Sequence, residues 1–164
     1  MRVVSSAKKR VAIVVAIVAL GVATSGCIPD STGAVGPADP FRAQIFDGLN
    51  KIRRDHGVAP FDYSPKLEIL AQIWSGIMGN GVGLKHQNLA DTLNNNTDYA
   101  NFYTLGENIL VGPWLMGAQN ILNAFMNSPP HRDNILSRNF NVVGVGFFGK
   151  DGQIWICLDF GGLY

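Results

Sequence analysis

The chain reads as an α+β protein, because helices come first and an antiparallel hairpin comes last. A change of hydrophobic period carries this reading. Early in the chain apolar residues recur at steps of three and four, as at Phe41, Ile45, Leu49 and Ile52, which is the spacing of one helical face. Near the C-terminus they alternate instead. Val143, Val145 and Phe147 lead into a Gly149-Lys150-Asp151-Gly152 turn, and Ile154, Ile156 and Leu158 lead out, the pattern of a two-stranded hairpin. With 164 residues, 47% hydrophobic and 15% charged, the chain has enough apolar mass for one modest core and too little charge for a disordered polymer.

Taken in order, the first segment is a targeting signal. Arg2, Lys8, Lys9 and Arg10 precede an apolar run over residues 11–23, and no acid occurs before Asp30. About 20 apolar residues are needed to span a bilayer, so this run reads as the h-region of an export signal. It ends in Thr24-Ser25-Gly26-Cys27, which resembles a bacterial lipobox, although Thr24 stands where Leu, Val or Ile is usual. The division expected is a lipoprotein-type signal over residues 1–26, a lipidated Cys27, a tether over 27–38 and a domain over 39–164. The alternative is an ordinary secretory signal cut between residues 23 and 26, which would release the protein. Without the four early cations the formal charge falls from +1 to −3, so the body lacks the basic face that nucleic acid requires.

Within the body, Asp39 followed by Pro40 predicts a helix start, and Gly57 predicts its end. His56 reads as a surface residue of that last turn, and Lys51, Arg53, Arg54 and Asp55 lie mostly off the apolar face. Ser64 and Pro65 repeat the start signal ahead of the stripe Leu67, Leu70, Ala71, Trp74, Ile77 and Met78. The glycine-rich run 79–83 predicts a sharp reversal, and the asparagine-rich residues 88–101 predict a surface loop with a helical turn. Residues 104–110 predict a short buried strand. Pro113 is expected to open another helix, with Leu115, Ala118, Ile121, Leu122 and Phe125 inward. Pro129 and Pro130 should end that helix in a rigid corner that presents His131.

Three residues stand out as chemistry-bearing: His86, Glu107 and His131. Glu107 interrupts an apolar segment, and a buried carboxylate needs a partner or a metal. Two readings stay open on the bare residues. The three side chains form a hydrogen-bonded cluster that staples loops together, or they hold a divalent cation, since two histidines and one glutamate with an open position are a recognised zinc set. Asn108 and Asn134 read as loop-fixing side chains. Cys157 reads as a buried small hydrophobe, with no neighbouring cation to activate it. There is no G-x-S-x-G, and Ser128 is followed by proline, so nucleophilic catalysis is poorly served.

Several segments together resemble one family. They are L-N-K-I-R-R-D-H-G-V from Leu49, S-P-K-L-E-I-L-A-Q-I-W from Ser64, His86, L-G-E-N-I from Leu105, S-P-P-H-R-D-N-I-L from Ser128, and V-G-V-G from Val143, closing on Phe160-Gly161. In that order they resemble the bacterial branch of the CAP superfamily, whose domain is also called SCP. The resemblance implies a three-layer α-β-α sandwich with a small antiparallel sheet. It also implies a cleft lined by two histidines and two acids, which in some relatives binds zinc or another divalent ion. His86, Glu107 and His131 match three of those four. Ser128 stands at the second acidic position, with Asn108 as a further cleft neighbour, and Phe125 replaces the family's usual tryptophan.

The expected function is an exported, lipid-anchored binding module that faces outward. Its partners would be the membrane, through the anchor, and a small molecule, lipid or protein at the cleft. The expected cofactor is Zn2+ or another divalent cation. The alternative is a metal-assisted hydrolase acting on envelope or extracellular polymers. No catalytic residue is assigned, because Glu107 cannot easily serve as both ligand and base.

Overall fold

The computed structural model describes residues 36–164. The expected signal, Cys27 and most of the tether lie outside the described residues. Five helices and four strands follow in the order α1 (Pro40–Asp55), β1 (Asp62–Tyr63), α2 (Pro65–Ile77), α3 (Leu89–Asn95), β2 (Phe102–Pro113), α4 (Ala118–Met126), α5 (Pro129–Leu136), β3 (Val142–Lys150) and β4 (Gln153–Leu163). The sheet runs β1-β3-β4-β2, so β2 is an edge. β4 pairs antiparallel with both β2 and β3. The sheet is nevertheless mixed, because the two-residue β1 lies parallel to β3.

Helices cover both faces. The larger core packs α1, α4 and α5 on one side, around Ile45, Leu49, Ile121, Phe125, Ile156 and Phe160. On the other side α2 lies directly on the sheet. A Cβ at Gly144 would sit 2.1 Å from the backbone of Glu68 and Leu67, and one at Gly146 would sit 2.1 Å from that of Ala71. The V-G-V-G run therefore alternates valines into one core with bare backbone beneath a helix. Beyond β1 the free edge of β3 is closed by side chains. Gln72 donates to the Phe147 carbonyl and accepts from its N–H, while Arg42 donates to the carbonyl of Val145.

The helix starts follow their predicted chemistry. Asp39 accepts from the N–H groups of Phe41 and Arg42, and Ser64 accepts from that of Leu67. Gly57 takes φ +65° just past α1, a conformation that costs glycine little. Four expectations are corrected. β2 runs on to Pro113, which ends the strand instead of opening a helix; α4 begins five residues later, and Leu115 is 91% exposed. Pro129 and Pro130 do not merely stop a helix: α4 has ended by Met126, and the two prolines form the first turn of α5, where proline's missing N–H costs nothing. The segment after Asn88 forms α3 and a 3-10 turn over Thr97–Tyr99. Lastly, Arg53 is buried to 2% exposure, not solvent-facing.

Candidate functional site

The site is built where β2 forms the edge of the sheet. In a strand, successive side chains point to opposite faces, so the L-G-E-N-I segment serves both layers. Gly106 leaves room for the ring of Phe140, and Asn108, fully buried, reaches α5. There its amide donates to the His131 carbonyl at 2.8 Å, and its carbonyl accepts from Asn134 Nδ2 at 2.9 Å. Asn134 also donates to the main-chain carbonyl of Glu107 at 3.2 Å. These bonds dock the α5 corner onto the strand edge.

Glu107 points toward the opposite layer, and its side chain is 2% exposed. Its Oε1 lies 2.6 Å from His86 Nδ1 and accepts from the Gln87 main-chain N–H at 3.2 Å. Its Oε2 accepts from the Gln87 side-chain amide at 2.8 Å. Directly opposite on β4 is Asp159, with Cys157 two residues before it on the same face. The same Gln87 Nε2 donates to Asp159 Oδ1 at 2.7 Å. The Cys157 thiol lies 3.4 Å from Glu107 Oε2 and 3.7 Å from Asp159 Oδ1.

Burial, then the negative charge of Glu107, push the Asp159 pKa well above the usual carboxylate range. Burial, and after it the fields of Asp159 and Glu107, raise that of the Cys157 thiol. This thiol is therefore held protonated and is unsuited to act as a nucleophile. Among the described residues, Asp159 Oδ2 is the one buried side-chain oxygen or nitrogen without a hydrogen-bond partner.

His131 sits in the first turn of α5, half-buried, with its ring edge-on to Phe125 at 5.3 Å between centroids. Burial first, and the charge of His86 second, lower its pKa, which favours the neutral imidazole that a metal needs. The structure thus brings His86 and Glu107 into direct contact and places His131 within electrostatic reach of His86. Ser128 caps α5 with its backbone, makes no side-chain cap bond and supplies no carboxylate. His56 stays at the exposed end of α1, bonded to the Ile52 carbonyl.

Sequence reasoning missed Gln87, Asp159 and the polar setting of Cys157. A signal for Asp159 existed. It shares the period-2 face of Trp155 and Cys157, opposite to Ile154, Ile156 and Leu158, and it is an acid in the last strand of a helix-covered sheet. Nothing marked Gln87 beyond its place next to His86.

The profile of the cysteine-rich secretory protein family, CAP, matches residues 46–158. The chain belongs to the CAP family. It is 28% identical over 130 residues to an uncharacterized protein of Bacillus subtilis, YkwD, covering 76% of this chain and 49% of that protein. It thus spans about half of that relative's length. In fold it resembles an extracellular SCP-domain protein of Bacillus anthracis, with TM-score 0.61 and 25% identity over 77% of this chain and 45% of that one. It also resembles an outer surface protein of Borrelia burgdorferi, with TM-score 0.64 and 16% identity over 73% and 90% of the two chains. Among the described residues, no helix is long and apolar enough to cross a membrane.

Proposed function

We propose that this CAP-domain chain is an exported binding module, tethered to the outer face of a membrane through lipidated Cys27. Its cleft at His86, Glu107 and His131 would take a divalent cation or a small ligand. The observation that carries this reading is Glu107, an acid buried in an edge strand yet held by His86 and Gln87 at the rim. An acid kept only for stability would be expendable, since apolar residues often fill such a place as well or better. The donor set suits zinc: a carboxylate in contact with one imidazole, and a second imidazole held toward its neutral form. Bound there, the ion would act as a Lewis acid toward whatever the cleft admits. With Ser128 in place of a second acid, water would complete the shell. The Bacillus anthracis relative is extracellular, which supports an exported site of action.

Calorimetry with Zn2+ at neutral pH tests the cleft. Binding is expected to weaken as pH falls below about 6.5, where imidazoles protonate, and to be lost in His131→Ala with the fold retained. Absence of binding to the parent chain at neutral pH removes the metal reading. Fractionation tests the anchor. Cys27→Ser should move the protein from the membrane fraction to the medium, and a variant that stays with the membrane refutes lipid attachment.

A further inference from the structure

Beside Glu107 lie two side chains, Asp159 and Cys157, that neither the histidines nor the family resemblance accounts for. One ligand atom from each of Glu107, Cys157 and Asp159 can be chosen so that all lie within 4.8 Å of one another, and all three residues are buried. Around a zinc-sized ion, metal–oxygen distances of about 2.1 Å and metal–sulfur distances of about 2.3 Å put tetrahedral ligands roughly 3.5 Å apart. The thiol already lies 3.4 and 3.7 Å from the two carboxyl oxygens, so only the two carboxyl groups need to approach each other, by about an ångström.

What holds them apart is the amide nitrogen of Gln87. It lies 2.8 Å from Glu107 Oε2, 2.7 Å from Asp159 Oδ1 and 4.0 Å from Cys157 Sγ. An electropositive NH2 at the point where three anion-forming groups converge occupies the position of a cation. It is an incomplete substitute, because an amide has two hydrogens, and here both are spent on the two carboxyl groups. Among the described residues Asp159 Oδ2 has no partner although it is buried, a loss that natural interiors seldom leave unfilled.

We propose that Glu107, Asp159 and Cys157 form a cation site below the cleft, selective for thiophilic divalent ions of the zinc and cadmium class, with the Gln87 side chain as its removable plug. Gln87 is half-buried at the surface end of the group, on the loop between Gly83 (φ +70°) and α3, so it can swing out while the strands stay in place. On binding, the ion takes the Cys157 sulfur and the Asp159 carboxylate, and the thiol and carboxyl protons leave to solvent. Sulfur among the donors favours zinc and cadmium over magnesium or calcium. The site shares Glu107 with the cleft but requires neither His131 nor His86.

Cadmium titration of the full chain tests this in a Cys27→Ser background, where Cys157 is the sole thiol. The expected result is a sulfur-to-cadmium charge-transfer band that saturates at one ion per chain. It should be absent when Cys157→Ser is added, weakened on the order of tenfold or more by Asp159→Asn, and unchanged by His131→Ala. Absence of the band overturns the proposal, as does cadmium binding that survives Cys157→Ser and is lost with His131→Ala. Should the buried variants fail to fold, Gln87→Ala decides. Removing the plug is expected to tighten cadmium binding roughly tenfold or more, and equal or weaker affinity overturns the site. A chain that binds zinc through His131 yet gives no cadmium band loses the deeper site and keeps the cleft.

Discussion

Arg53 and Asp159 are both buried in this domain, at 2% and 0% exposure, yet their surroundings differ in kind. Among the described residues Arg53 has no acidic partner, and it is satisfied by main chain. Its Nε donates to the Ala59 carbonyl, Nη1 to those of Ile135 and Ser137, and Nη2 to that of Phe140, at 2.6–3.0 Å. The guanidinium also lies 3.7 Å from the centroid of the Phe61 ring. These acceptors include the Ile135 carbonyl in the last turn of α5, where the helix dipole favours a cation. Burial, with Arg138 second, pushes the Arg53 pKa down to about 10, so it stays charged at neutral pH. Asp159, by contrast, accepts through Oδ1 from the Gln87 side chain at 2.7 Å, and among the described residues its Oδ2 has no partner. A buried charge closed off by rigid carbonyls is a staple. A buried acid with one unpartnered oxygen, tied through the other to a side chain on a loop, is a looser arrangement, and the two should respond differently to mutation.

The largest effect is expected at the staple. Arg53→Met keeps most of the stem's packing but strips four carbonyls of their donors, and with them the link from α1 to the loop after α5. Of these, the carbonyls of Ile135 and Phe140 are buried, and leaving each without a donor costs roughly 1–3 kcal/mol. Urea denaturation should show the midpoint falling accordingly. A loss below about 1 kcal/mol, the level of a single ordinary hydrogen bond, would erase the distinction between the two sites.

Much of the fold was legible in the sequence because its signals are local. Caps at Asp39 and Ser64, the α2 stripe and the alternating hairpin each depend on residues within a few positions of one another. Arg53 was hidden by its chemistry. Read by spacing alone, it follows Ile45 and Leu49 at i+4 steps on the buried face, but a charge there suggests solvent until the carbonyls that receive it are known. Pro113 misled because its ring is tolerated at a strand's end as well as at a helix's start. At the site, His86, Glu107 and His131 were visible as polar residues in unlikely places. The cluster under them was not, since Glu107 meets Asp159 only through the β2–β4 register and Gln87 reaches both only through the fold of its loop. Non-local pairing is the information that a single sequence withholds.

The smallest effect, and the one that sharpens the comparison most, is expected at Asp159. Its pKa is raised in the folded chain by burial and by the charge of Glu107, well above the ordinary 3.8. Below that ordinary value both folded and unfolded chains hold the proton, and the residue exacts no pH-dependent penalty. As pH rises past about 4, the unfolded chain releases its proton while the folded one retains it, which favours unfolding and removes stability progressively toward neutral pH. Asp159→Asn leaves an acceptor for Gln87 and abolishes this titration. The variant should therefore match the parent's stability near pH 4 and exceed it by an increasing margin as pH rises, on the order of 1 kcal/mol. Differential scanning calorimetry across that range would show it. A gap that stays constant with pH would mean that Asp159 is as settled in its surroundings as Arg53.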